Sequence, residues 1–260
     1  MIPFMVTRLG CGELTAMPKY SIIIPAYNES ARLDATLDRV LHHVAIQHWD
    51  AEVIVVNDGS RDDTAEMVLA RARTNAALRL VENPGNRGKG YSVRNGMLKA
   101  AGEIRLFTDA DLSSPISEAN KLFAAIEAGA DVAIGSRWLQ PDTQAQRQSL
   151  LRQFYGRTFN LILRLLLGLR FKDTQCGFKA FSRISAQKLF SMQTIEGWGF
   201  DAELLFLADK IGLKVEEVPV IWSDAEGTRI HPLRDGLHMM AEVFTIRWNS
   251  ITGKYSRDKS

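Results

Sequence analysis

Two aspartates, Asp109 and Asp111, stand two residues apart at the end of the apolar run Ile104–Thr108. Carboxylates so placed can converge on one hard divalent cation. The cation would bridge the diphosphate of a donor molecule and neutralise its leaving group. A solvated turn that caps the following helix is the competing reading, because aspartates are common turn residues. Position favours the cation: in open parallel sheets, ligands bind outside the carboxyl ends of the strands.

Other polar residues collect at similar places. Asp58, in Val-Val-Asn-Asp-Gly-Ser, follows the apolar run 52–56. It can accept hydrogen bonds from a base or ribose, or simply make a turn before Gly59. Pro25-Ala26-Tyr27-Asn28-Glu29 closes the run 20–24. Tyr27 offers a face to a base and Glu29 an acceptor to a ribose; alternatively Pro25 ends a strand and Asn28-Glu29 opens a helix. Asn86-Arg87-Gly88-Lys89-Gly90 lacks the Walker spacing, yet backbone N–H groups at a helix start attract anions. Ser136 and Arg137 follow the run 131–135, and arginine suits bidentate phosphate binding. The five histidines show no ligand spacing.

These residues need elements to hold them. Apolar runs at 20–24, 52–56, 78–82, 104–108 and 131–135 read as buried strands. Helical spacing fills the gaps at 29–46, 62–73, 88–101 and 117–128, with Ser30 a candidate N-cap for the first. Strands alternating with single helices imply a Rossmann-like, doubly wound, mostly parallel α/β sheet. The second half differs. Residues 150–169 form a long basic amphipathic helix, 173–181 a compact turn-rich segment, and 200–211 a further helix. A strand at 214–220 and a terminal helix at 236–248 follow. Residues 1–18 read as a loose extension, with Met17 a possible start. Residues 19–255 read as one domain, split into a donor-binding half (19–135) and an acceptor-facing, membrane-proximal half (136–255).

Composition bounds the function. The 260 residues are 46% hydrophobic and 24% charged, as in an ordinary globular protein. A formal net charge of +2 argues against a general nucleic-acid binder. Cys11 and Cys176 are too far apart in sequence to suggest a metal motif, and a reducing compartment is the simple reading. No run reaches the roughly 18–20 apolar residues of a spanning helix; Arg164 interrupts the longest, 161–169.

Taken in order, the segments SIIIPAYNE (21–29), VVNDGSRDDT (55–64), NRGKGYSVRNG (86–96), FTDAD (107–111) and IGSR (134–137) resemble family 2 glycosyltransferases with the A-type fold. DTQCGFKAF (173–181), WGFDAELLFLA (198–208) and WSDAEGTRIHP (222–232), followed by IRW, are similar to the dolichyl-phosphate β-glucosyltransferase branch, relatives of dolichyl-phosphate mannose synthases. The resemblance spans roughly residues 19–255. It implies inverting transfer of a hexose from a UDP- or GDP-sugar to a polyprenyl phosphate. It places Pro25, Tyr27, Glu29 and Asp58 around the nucleoside, with Lys89 nearby. It places Asp109 and Asp111 at Mg2+ or Mn2+, with Asp109 also on the donor. Ser113 stands where mannose synthases often carry a glutamine that ligates the metal. It surrounds the acceptor phosphate with Arg137, Arg152 and Arg229, beside Ser136; Asp109, Asp111 and Arg137 form the catalytic set.

A phosphate acceptor is already anionic and can attack without a strong general base. A saccharide hydroxyl would need one, for which Asp201 and Glu203 are the candidates, although both also suit a helix start. The helix 150–169 has apolar residues Leu150, Leu151, Phe154, Leu161, Ile162, Leu165 and Leu166 among Arg152, Arg157, Arg164 and Arg170. That pattern suits a helix lying on lipid, or one packed in a core. The expected protein is a metal-dependent enzyme, peripheral on the cytoplasmic membrane face. GDP-mannose as donor, a saccharide acceptor and a non-catalytic nucleotide-sugar-binding scaffold are the rival expectations.

Overall fold

The computed structural model describes residues 17–140, 150–223 and 232–256. The strands are β1 (Tyr20–Ala26), β2 (Ala51–Asn57), β3 (Leu78–Glu82), β4 (Ile104–Thr108), β5 (Val132–Ser136), β6 (Phe178–Ser182) and β7 (Val215–Pro219). The helices are α1 (Ser30–Ile46), α2 (Thr64–Ala72), α3 (Lys89–Lys99), α4 (Ala119–Glu127), α5 (Leu150–Leu167), α6 (Arg183–Met192), α7 (Phe200–Lys210) and α8 (Pro232–Ile251). All seven strands form one sheet in the order β3-β2-β1-β4-β6-β5-β7.

Strand periodicity explains the layers. Along β1, Ile22 and Ile24 enter one core while Ile23 enters the other; along β2, Val53 and Val55 separate from Ile54 and Val56 in the same way. The first core is closed by Leu33, Leu37 and Val40 of α1, Val68 of α2 and Leu122 of α4. The second is closed by Val93 of α3, Leu163 of α5, Leu189 of α6, Leu204 of α7 and Val243 of α8. Burial of each such aliphatic side chain contributes about 1.5–3 kcal/mol. A sheet covered on both faces leaves only its ends and edges for ligands.

The sheet is mostly parallel, with one exception that the sequence pattern did not suggest. The segment expected to be turn-rich contains β6, which runs antiparallel between β4 and β5. Thr108 pairs with Phe178 at one end of that ladder. Because β6 runs backwards, the residues that precede it are delivered to the carboxyl ends of its neighbours. One further helix and one altered cap complete the picture. Helix α6 follows β6 directly, capped by Ser182, whose Oγ accepts from Ser185 N. Ser30 does not cap α1: Glu29 occupies that position without a side-chain capping bond, and Ser30 instead donates its N–H and hydroxyl to Asp62. Among the described residues, no helix is long and apolar enough to cross a membrane.

Candidate active site

Loops at the carboxyl ends of β1 and β2 are stitched together before any ligand is considered. Asn28 adopts a positive φ of 52°, its N–H donates to Ser60 Oγ, and its Oδ1 accepts from Arg61 N. Glu29 N donates to Thr64 Oγ1. Asp62 accepts from both Thr64 and Ser30; burial works against its charge, but these bonds hold its pKa down at about 2. At the rim, Tyr27 is 36% exposed. Pro25, which lacks an N–H, lies in β1 opposite Val56. The Glu29 carboxylate pairs with Arg32 Nε at 2.6 Å.

Asp58 is buried and works on the chain itself. Its Oδ1 accepts from Asn83 Nδ2 (2.7 Å) and Arg87 N (2.9 Å), and its Oδ2 accepts from Gly88 N (2.8 Å). This carboxylate therefore shapes the turn into α3. Gly88 has φ +105°, and a Cβ there would meet the Glu196 carbonyl oxygen at 2.6 Å, so only glycine fits. The turn aims Lys89 at the end of β4.

There Lys89 Nζ meets Asp109 Oδ1 at 2.6 Å. Burial pushes the Asp109 pKa up, and Asp111 and Asp201 add to this against the pull of Lys89. The Lys89 ammonium is disfavoured by burial, but Asp109, Asp201 and Asp111 more than offset this and raise its pKa. The turn that follows is tight: Leu112 N donates to Asp109 O, and Leu112 itself has φ +47° while buried. A β-carbon in that region is strained, and such strain concentrates at functional turns. Asp111 Oδ1 accepts from Ser113 N at 2.9 Å, and its Oδ2 accepts no hydrogen bond among the described residues.

Gly177, one residue before β6, lies against Asp109. A Cβ at Gly177 would stand 2.8 Å from the Asp109 carboxyl carbon, so any other residue would push that carboxylate from its present place. Four residues earlier on the same segment, Asp173 receives Arg137: Nε to Oδ2 at 2.7 Å, Nη2 to Oδ1 at 2.8 Å, and the Arg137 N–H to Oδ2 at 3.0 Å. Burial opposes both charges, yet the pairing raises the Arg137 pKa and lowers that of Asp173. Trp138 and Trp222 each lie with ring centroids 5.5 Å from the guanidinium carbon, and Arg157 stacks on Trp138 at 4.8 Å.

Residues 21–190 match the family model described as Glycosyl transferase family 2. The chain belongs to glycosyl transferase family 2. Within family 2 it is 38% identical, over 249 residues, to a dolichyl-phosphate beta-glucosyltransferase of Drosophila melanogaster, covering 90% of this chain and 76% of the relative. A dolichyl-phosphate beta-glucosyltransferase of Saccharomyces cerevisiae is 33% identical over 258 residues, covering 92% and 77%. Among solved structures, the chain is similar to glucosyl-3-phosphoglycerate synthase of Mycobacterium tuberculosis in complex with Mn2+, UDP-glucose and phosphoglyceric acid. The TM-score is 0.64 at 22% identity, covering 94% of this chain and 81% of that one. That likeness establishes the fold.

Several expectations for this family 2 chain change on inspection of the site. Ser136 is fully buried, and its backbone carbonyl receives Val220 N. Neither candidate general base is available. Asp201 is buried and paired with the fully buried Lys179. Glu203 is fully buried and accepts from Thr194, Ile195 and Tyr255. Arg229 lies outside the described residues, as do the side chains of Arg152, Leu150, Leu151 and Phe154. Sequence reasoning assigned no role to Asp173, Gly177 or Lys179, although all three lie in DTQCGFKAF. Cys176, between them, is a buried thiol pushed up to about 12, mainly by burial.

Proposed function

We propose that this chain transfers glucose from UDP-glucose to a polyprenyl phosphate, inverting the donor linkage to a β-linked lipid-phosphate sugar. The observation that carries the acceptor class is the state of Asp201 and Glu203: each is buried and engaged by other side chains. A hydroxyl acceptor would lack a base here, whereas a phosphate needs none. The names of the relatives from Drosophila melanogaster and Saccharomyces cerevisiae point the same way and favour glucose over mannose.

The residues present suit a divalent ion. Asp109 and Asp111 supply hard oxygen ligands, and Mg2+ is commonly bound by one or two carboxylates with substrate phosphates completing the shell. When bound there, Mg2+ or Mn2+ would stabilise the charge of the departing diphosphate. Lys89 adds a second positive charge at the same place. Tyr27 and the stitched β1 and β2 loops present the nucleoside side, with Asp58 holding the loop rather than reaching out. Arg137, oriented by Asp173 and flanked by two tryptophans, presents a cation to the acceptor phosphate on the far side of β6, with Arg152 and Arg229 as further partners. Catalysis is thus positioning plus charge stabilisation.

A membrane side in the second half of the chain is supported by its exposed side chains. Leu161 and Leu165 on α5, and Phe244, Trp248 and Ile251 on α8, are exposed apolar side chains at helical spacing. Arg157, Arg170 and Arg247 are exposed beside them. An apolar row among arginines suits an anionic lipid surface, at about 1 kcal/mol per cation near the headgroups. The enzyme then sits peripherally on the cytoplasmic face.

The test incubates the protein and Mn2+ with labelled UDP-glucose or GDP-mannose and a short polyprenyl phosphate, then extracts the product into organic solvent. Label from UDP-glucose alone is the expected result. Label from GDP-mannose alone would replace the donor, and transfer only to a saccharide would replace the acceptor.

A further inference from the structure

Trp198 is 42% exposed, although an indole is among the most apolar surfaces a protein can present. It is not on a loose loop. The segment joining α6 to α7 is fastened to the first turn of α3: Tyr91 N donates to Glu196 O at 3.1 Å, and Gln193 Nε2 donates to Gly90 O at 2.9 Å. On the other side, Gly199 N donates to Glu242 of α8 at 2.7 Å. Glu203 fixes the start of the segment through Thr194 and Ile195. A rigid mount for an exposed ring is what a stacking platform requires.

The position of that ring is defined by Lys89. Its Nζ lies 5.2 Å from the Trp198 ring centroid and 2.6 Å from Asp109 Oδ1. A phosphate bound by Lys89 therefore brings whatever is esterified to it within a few ångströms of the indole. In a nucleotide sugar the phosphate farther from the nucleoside carries the hexose, and Lys89 stands at the end of β4, away from the nucleoside side at β1 and β2. The C–H bonds of a pyranose are weakly positive and form a flat apolar surface, which complements the negative face of an aromatic ring. The nucleoside lies elsewhere, since Tyr27 and Asp58 belong to the ends of β1 and β2.

We infer that Trp198 is the platform on which the donor's hexose rests, and so a residue that selects glycosylated donors over the bare nucleotide. This rests on the reading of the chain as a UDP-sugar transferase. The test measures binding of UDP and of UDP-glucose, each with Mn2+, by calorimetry to wild type, Trp198→Phe and Trp198→Ala. Trp198→Ala is expected to weaken UDP-glucose roughly tenfold while UDP is unchanged, and Trp198→Phe to retain most of the affinity. Thermal melting of the two variants checks that the fold survives, and Trp198→Phe carries the comparison if the alanine variant melts early. Equal loss for UDP and UDP-glucose would make the ring a base platform and overturn the inference. Unchanged donor affinity with a raised KM for polyprenyl phosphate would assign the ring to the acceptor and also overturn it. Wild type that binds neither UDP nor UDP-glucose would instead remove the functional reading on which the inference stands.

Discussion

Lys89 and Asp109 meet with side chains 17% and 31% exposed, whereas Lys179 and Asp201 meet with side chains 0% and 7% exposed. The chemistry of the two pairs is identical. Their surroundings give them different work. The outer pair is partly open to solvent, which is the access that a phosphate or a cation would need to exchange for one of its members. Nothing reaches the inner pair. Lys179 also donates to the Cys176 carbonyl, so it ties the segment before β6 to the start of α7. The inner pair holds the framework, and its charge is felt by the outer one: Asp201 raises the pKa of both Lys89 and Asp109.

Substitutions can break this contrast, and the largest effect should come from the outer site. Asp111→Ala should lower transfer on the order of 10³-fold with an unchanged melting temperature, measured by product extraction and calorimetry. Near-full activity would remove the metal assignment. At the inner site the loss should appear as stability. Lys179→Met leaves a buried, unpaired Asp201 and should cost about 3–5 kcal/mol in denaturant unfolding. Adding Asp201→Asn should recover much of it; a double variant no better than the single one would contradict the pairing.

How far these roles were legible in the sequence follows from the same contrast. Asp109, Asp111 and Lys89 stand beside apolar runs and turn residues, so local pattern singles them out as candidates, and the family resemblance supplies their roles. The first five strands and their helices are legible for that reason too. Lys179 is not, because a lysine inside Phe178–Ser182 argues against a buried strand, and its partner Asp201 is 22 residues away. Asp173 was hidden likewise, since nothing local links it to Arg137. The buried state of Ser136 and Glu203 depends on packing between elements, which no periodicity reveals.

Two smaller effects sharpen the comparison. Gly177→Ala should displace the Asp109 carboxylate and reduce kcat about tenfold, because positioning errors of under an ångström are costly in a preorganised site. Stability should fall only slightly, as the outer pair is partly open to solvent; a large drop in melting temperature with normal kcat would reverse the assignment. The smallest effect concerns Asp62, whose folded pKa of about 2 lies below its unfolded value of about 3.9. The stability it contributes is present above pH 4 and is lost as the pH falls towards 2. Asp62 is partly open to solvent, so the loss is small. Melting curves between pH 5 and pH 2 should fall less steeply for Asp62→Asn than for wild type, and parallel curves would argue against it.

The reversed direction of β6 has a consequence for engineering. Residues 173–177 act as a five-residue tether with one end on Arg137 and the other on Asp109. Lengthening that tether by even one residue would let Arg137 and Asp109 drift out of register, so grafts of this segment should exchange the whole tether at constant length.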